Sequence, residues 1–434
     1  MNRSQRRTNP LQYAFLSGAI ATTATLTVFG PMWCRAVRAA FQDSPKAVVD
    51  QTWQIVNREY VDPSFNQTDW QQVRQDLLNR EYSSPQQAYV AIREALKKLE
   101  DPYTRFLDPK QFEALTDQTS GELSGVGMSL EVQAETRNIV VVEPYQNSPA
   151  AQAGIQPGDR ILAIDGKSTQ GMNVEDAARL IRGRAGTEVM LRLSRPGREN
   201  FELKLTRARI ELPTVTYSLK QEGPLQIGYI RLDEFSSHAA SQMRRSIDDL
   251  NAQNVDGFVL DLRGNPGGLL QSSIEIARMW LDNGPIVKTV NRGGKSEAVR
   301  ANRTALTNLP LVVLVDSNSA SSSEILTGAL QDNQRAKIVG TKTFGKALVQ
   351  AVHPLSDGSG VAVTVAHYYT PKGTDISQKG ITPDVPIELT EQQQQKLAAD
   401  PKLIGTKEDP QYAKALSTLV AEATPRRLAT HSPR

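Results

Sequence analysis

Residues 311–350 read "LVVLVDSNSASSSEILTGALQDNQRAKIVGTKTFGKALVQ": an apolar run, a serine-rich turn, an amphipathic helix and a second short β-type run. "LVVLVD" lacks polar alternation, as a strand covered on both faces requires, and Ile325, Leu326, Ala329 and Leu330 fall on one face of the helix that follows. Upstream the order recurs: "LQIGYIRL" precedes the helical "AASQMRRSIDDLNAQ", and "GFVLDLRG" precedes "LLQSSIEIARMWLDN". Downstream lies another β run, "GVAVTVAHYYT". Apolar strands alternating with amphipathic helices predict an α/β (α+β overall) architecture from Pro213 onward, a mixed sheet covered by helices.

The texture differs toward the N-terminus. From "SGVGMSLEV" to Arg207 the runs are short and β-type ("NIVVVEPY", "DRILAIDG", "EVMLRLSR", "ENFELKLTRA"), with glycine turns and two helical stretches between them, the signature of a small β-rich module. Before it, "AVVDQTWQIVNREY" and "AYVAIREALKKLE" repeat apolar residues at three- and four-residue steps, and "DPYTRFLDPKQFEAL" reads as a turn and short helix. The expected division is 1–39, a targeting segment; 40–121, helical; 122–208, the β-rich module; 209–390, the α/β core; and 391–434, a tail with one helix near Tyr412.

Composition is that of a soluble globular chain, with 39% apolar and 22% charged residues among 434. The net charge of +3 comes from Arg3, Arg6, Arg7, Arg35 and Arg38, a segment without acids, and the rest carries −2. No basic field argues for nucleic acid. The basic start, the uncharged stretch from Thr8 to Cys34 and the small residues before Ala40 read as an export signal, with a twin-arginine trace in "RRTNP". An uncleaved anchor is the alternative, since residues 11–33 are long enough to span a bilayer, and is the only membrane link expected. Either way the body works outside the cytosol, in a periplasm or thylakoid lumen. Cys34, the only cysteine, lies in that segment, so thiol catalysis, thiolate metal sites and disulfides are excluded from the mature chain.

Five serines stand within residues 317–323, just before a helix. Ser321 followed by Glu324 fits a capping box, which needs no further function. "GTKTFGKA" has the spacing of a phosphate-binding loop, but Ala347 stands where the magnesium-binding hydroxyl belongs and the following residues look extended. A third reading makes Ser321 a nucleophile at a helix N-terminus and Lys346 its base. That requires disfavouring the ammonium by about 3–5 kcal/mol, which burial supplies. Phe344, Leu348 and Val349 are the expected apolar neighbours. The rival base is one of four histidines: His238, His353, His367 or His431.

The motifs "EDPYTRFLDP", "SGVGMSLEV", "VLDLRGNPGGLL", "SASSSEILTGALQD", "VGTKTFGKALVQ" and "YYTPKGTDISQKGITPDV" follow one another in this order, and over about residues 50–389 the chain resembles the carboxy-terminal processing proteases. The resemblance implies a peptidase-type core carrying an inserted PDZ domain, and a serine endopeptidase acting near protein C-termini without metal, nucleotide or other cofactor. It places the nucleophile on Ser321, the general base on Lys346 and a lysine-positioning glutamine on Gln350. The oxyanion donors fall on Ser322 and on Gly267 or Gly268, and Glu324 and Asp332 fall on supporting positions. The PDZ carboxylate loop falls on Gly125, Val126, Gly127 and Met128, which would hold substrate tails; the partners are therefore proteins with free C-termini. A non-catalytic binder of such tails is the competing class. Some relatives in photosynthetic organisms trim a photosystem II reaction-centre precursor.

Overall fold

The computed structural model describes residues 44–430, so the targeting segment, Cys34 and His431 lie outside the described residues. Three helices open the chain: α1 (Pro45–Glu59), α2 (Trp70–Asn79) and α3 (Pro85–Lys97). Ser44, Asp69 and Ser84 cap them by accepting backbone N–H bonds, and proline at the start of α1 and α3 costs no helical bond there. Their apolar faces meet in a core of Val56, Trp53, Trp70, Ile92 and Leu96, which also takes in Leu355, Val361 and Val363 from far downstream. A three-residue strand, β1 (Arg105–Leu107), and the helix α4 (Pro109–Ser120) follow. None of the α4 side chains is buried.

A two-stranded ribbon then leads into and out of the β-rich module. Its outgoing strand is β2 (Glu122–Gly125). The module comprises β3 (Met128–Val132), β4 (Ile139–Pro144), the single turn α5 (Pro149–Gln152), β5 (Arg160–Ile164), β6 (Lys167–Ser168), α6 (Val174–Ile181), β7 (Glu188–Ser194) and β8 (Phe201–Thr206). Strand order is β3-β4-β5-β7-β8 with β6 beside β5, so β3 is an edge. The core (Ile139, Val141, Ile161, Ile164, Leu191, Leu193, with Ala177 and Ile181 from α6) is drawn wholly from this module. The ribbon's return strand is β9 (Ala208–Glu211), antiparallel to β2 and pairing Gly125 with Ala208.

The remaining strands are β10 (Val215–Glu222), β11 (Leu225–Leu232), β12 (Gly257–Asp261), β13 (Pro285–Asn291), β14 (Ser296–Arg300), β15 (Leu311–Val315), β16 (Lys337–Gly340), β17 (Leu348–Pro354), β18 (Gly360–Tyr369) and β19 (Val385–Pro386). Between them run α7 (Ala239–Ala252), α8 (Leu270–Trp280) and α9 (Ser322–Asp332). The main sheet is ordered β10-β11-β12-β15-β16-β19, parallel except for the antiparallel β10, and hence mixed. Every residue of β12 and β15 is buried, because α7, α8 and α9 cover one face and a C-terminal helix the other. Two helices, α10 (Glu391–Ala399) and α11 (Pro410–Thr430), form the tail, and α11 seats Tyr412, Ala415 and Leu419 on the sheet.

The α/β reading holds, with an addition. A second sheet, β1-β18-β13-β14 with β17 on β18, is antiparallel and ties the N-terminal region to the core. "DPYTRFLDPK" therefore contains a strand, not only a turn and helix. Three residues are too few for a periodicity to register, and β1 exists because β18 supplies its partner. Among the described residues no helix is long and apolar enough to cross a membrane.

Candidate active site

The turn between β15 and α9 is built by its own hydroxyls. Asp316 accepts from the N–H groups of Asn318 and Ser319 at 3.0 Å, closing the turn. Ser319 Oγ donates to Leu262 O, Ser322 Oγ to Gly268 O and Ser323 Oγ to Asn265 O, each at 2.9 Å. Three serines are thus spent lashing the turn to residues 262–268. Ser321 is left between them at φ 54°, ψ −111°, a region that a residue with a Cβ seldom occupies.

Glu324, one turn into α9 and 1% exposed, organises what surrounds Ser321. Its Oε2 accepts from Ser321 N and from Lys346 N, both at 2.9 Å. Its Oε1 accepts from Thr343 Oγ1 at 2.6 Å and from Gly345 N at 2.7 Å. A capping box explains only the first of these bonds. One carboxylate fastens the backbones of two residues 25 positions apart, and uses the glycine loop's donors that a phosphate would have needed. Tyr368 closes the other side, its hydroxyl lying against Ser321 O at 3.1 Å and against Lys346 O. After Lys346 the chain enters β17, a strand and not a helix, which disposes of the phosphate-loop alternative.

The Lys346 amine lies 4.5 Å from the centroid of the Tyr103 ring. Burial, and next the charge of Arg105, push it below the usual lysine range, against the pull of Asp101 and Glu324. The expected neighbours are corrected here: Phe344 is 55% exposed, and the ring against the amine comes from the N-terminal region. No pattern near Lys346 signals Tyr103, because the contact depends on β1 pairing with β18. Gln350 sits in β17 opposite Thr364, past a bulge, and its Nε2 is buried without a hydrogen-bond partner. Thr364 Oγ1 donates to Asp101 at 2.7 Å, so the Asp101–Arg105 strip faces both Lys346 and Gln350's strand. A cleft of about 790 Å³ lies between α3 and α4, lined by Asp101, Arg105, Leu107 and Leu115.

The two glycines of "NPGG" differ. Gly267, at φ 106°, presses on the Ser321 turn, where a Cβ would lie 2.8 Å from Ala320 O and 3.0 Å from Ser322 N. Gly268 presses instead on Phe235. The N–H of Gly267 donates to Asn265 Oδ1 at 2.9 Å.

Residues 226–387 match the family model for Peptidase family S41, and residues 140–195 that for the PDZ domain. The chain is 47% identical over 351 residues to the carboxyl-terminal-processing protease of Synechocystis sp., covering 80% of this chain and 82% of that protein. With the protein of the same name from Picosynechococcus sp. it shares 46% over 396 residues, 91% and 93% of the two chains. The chain belongs to peptidase family S41, among the carboxyl-terminal-processing proteases. A likeness in fold alone extends to the tricorn protease, at a TM-score of 0.51 and 19% identity, over 88% of this chain and 37% of that one.

In this S41 protease the PDZ loop is shaped by inward-facing carbonyls. Val126 O accepts from Ala150 N at 2.8 Å, and Gly127 O from Tyr145 N at 2.9 Å and Ser148 Oγ at 2.8 Å. Gly127 is at φ 78°, and a Cβ there would lie 2.4 Å from that of Ser148. Gly125 ends the ribbon, and Met128 begins the unpaired edge β3, flanked by α6. The histidines are engaged elsewhere: His238 with Glu122 at 3.1 Å and His353 with Glu59 at 2.6 Å, while His367 is exposed on β18. Among the described residues none hydrogen-bonds Ser321. Asp332 accepts from Lys372 N at 2.8 Å, a support for the loop after β18.

Proposed function

We propose that this protein is an exported serine endopeptidase that cleaves near the C-termini of protein substrates through a Ser-Lys acyl-enzyme mechanism. The observation that carries the reading is the Glu324 carboxylate, which holds Ser321 and Lys346 by adjacent backbone N–H groups while burial favours the neutral amine. Lys346 accepts the Ser321 proton as the hydroxyl attacks the scissile carbonyl, then returns it to the leaving amine. Gln350, on the strand that follows Lys346, orients the amine by accepting one of its N–H bonds on Oε1, which leaves the lone pair for the serine proton. The oxyanion is met by the N–H of Ser322, first in α9, and by the 267–268 turn. Since Gly267 gives its N–H to Asn265, Gly268 is the glycine donor and Gly267 the spacer that lets the turn touch Ser321. Water then hydrolyses the ester.

The substrate's terminal carboxylate docks on the N–H groups of residues 125–128, and its chain pairs with the open edge of β3. The PDZ domain occupies 122–208, the ribbon's outgoing strand β2 included, and the peptidase core 209–390. Cyanobacterial relatives and the basic leader together support export to a periplasm or thylakoid lumen.

Purified wild type and Lys346→Ala, assayed on a tailed protein substrate, test the mechanism. Loss of general-base catalysis should cost about 10²–10⁴-fold in kcat. Retained turnover in Lys346→Ala rejects the base, and failure of a fluorophosphonate to label Ser321 rejects the nucleophile.

A further inference from the structure

The peptidase match ends at residue 387, yet the segment beyond it reaches the root of the oxyanion turn. Arg263, 8% exposed, leads from β12 into that turn and uses every N–H of its guanidinium. Two bonds go to Asp261, from Nε at 2.9 Å and Nη2 at 2.5 Å. The other three go to the tail: Nη1 to Asp409 Oδ1 at 3.1 Å and to Gln411 Oε1 at 2.9 Å, and Nη2 to Asp409 Oδ2 at 2.8 Å. Asp409 is fully buried and also accepts from the N–H groups of Gly405, Gln411 and Tyr412, so it caps α11 while gripping Arg263.

From Arg263 an unbroken ladder runs to Ser321. Gly264 N donates to Asp316 Oδ1 at 3.0 Å, on the nucleophile turn. Asn265, fully buried, donates from Nδ2 to Leu232 O at 2.8 Å and accepts Gly267 N on Oδ1. Its carbonyl accepts Ala320 N at 3.1 Å and Ser323 Oγ at 2.9 Å. Every rung fixes backbone, and the last holds Gly267 so near the turn that a Cβ added there would lie 3.0 Å from the Ser321 Cβ.

We infer that the C-terminal segment around residues 405–411 is a clamp for the active site, with Asp409 and Gln411 as positioning residues that act through Arg263 to hold the oxyanion turn in register with Ser321. The inference rests on the Ser-Lys reading given above and assigns a role to the part of the chain outside the peptidase match. A guanidinium held between two carboxylates keeps one geometry; with one carboxylate neutralised, a buried cation is left with a partial set of partners and the turn moves to satisfy it. Displacement near 1 Å is enough to misalign an oxyanion donor.

The test uses the full chain with Asp409→Asn, Gln411→Ala and, as a packing control, Tyr412→Phe, whose hydroxyl bonds Glu222 and not Arg263. Melting curves establish the temperature at which each is folded, and kcat, KM and the rate of fluorophosphonate labelling of Ser321 are read there. Asp409→Asn should lose on the order of 10²-fold in kcat, with labelling slowed in parallel and KM within about twofold. Gln411→Ala should lose about tenfold, the low end of the worth of one hydrogen bond to a charged group, and Tyr412→Phe should keep wild-type kcat whatever its melting temperature. A folded Asp409→Asn with wild-type kcat and labelling overturns the clamp; if that variant does not fold, unchanged kcat in Gln411→Ala does so. Failure of the underlying reading looks different, since wild type itself would then leave Ser321 unlabelled.

Discussion

At Lys346 two opposed influences meet. Burial and Arg105 disfavour the ammonium, whereas the face of the Tyr103 ring attracts it by about 0.5–1 kcal/mol. If Lys346 is the base, as proposed, the neutral amine is the reactive form, and kcat/KM should rise with pH along a limb centred below the ordinary lysine value of about 10.4. Tyr103→Leu keeps the amine covered but removes the attraction, so the limb should move to lower pH by up to about 0.7 unit. Arg105→Gln removes a repelling cation and should move it upward. Profiles of kcat/KM against pH for the three proteins check both signs, and a limb that ignores both substitutions dissociates Lys346 from the titration. Ser321 offers a second prediction at this scale. Its backbone costs about 1–3 kcal/mol in strain, which glycine relieves at about 0.5–1 kcal/mol of unfolded-chain entropy. Ser321→Gly should therefore abolish turnover while leaving the melting temperature equal to wild type or higher, as thermal unfolding will read.

Among elements, the turn that carries Ser321 shows what a sequence can and cannot disclose. α9 was legible because Ile325, Leu326, Ala329 and Leu330 share a face, and β15 because five apolar residues stand together. Ser321 with Lys346 was one of three readings of the stretch, and resemblance selected it, since no periodicity links residues 25 positions apart. Glu324 was legible as a cap, but three of its four bonds are long-range and invisible to a local motif. The same limit hid β1, Tyr103 and the docking of α11, each of which exists only against a partner distant in sequence. It also left Gly267 and Gly268 indistinguishable, although one faces Ser321 and the other Phe235. That distinction makes a prediction: Gly267→Ala adds a Cβ 2.8 Å from Ala320 O at a φ of 106°, pushing the 267–268 turn away from Ser321. Turnover should fall by about 10²–10³-fold, the worth of an oxyanion donor, and steady-state kinetics on the folded variant will show whether the loss lies in kcat.

For the molecule as a whole, the question is which parts the chemistry needs. The N-terminal helices share a core with Leu355, Val361 and Val363, and their strip 101–105 borders Lys346, so they belong to the catalytic body. The PDZ domain differs: its core draws on no residue outside 126–205, and its chain enters and leaves through Gly125 and Ala208, paired across one ribbon. Replacing 126–207 by Asn-Gly would close that ribbon as a two-residue hairpin and leave every bond around Ser321, Glu324 and Lys346 in place. Such a protein should fold, label at Ser321 at the wild-type rate and cleave an unstructured peptide with kcat within about threefold of wild type, since no donor or base is touched. What it should lose is preference. Wild type should favour a substrate with a free C-terminal carboxylate over its amidated twin, because a carboxylate gains charge-assisted bonds from the loop N–H groups and an amide does not. In the shortened chain the ratio of kcat/KM for the two substrates should fall to about one. A ratio that survives removal of the domain would place tail recognition in the peptidase core, where the cleft behind Arg105 is the surface left to read it.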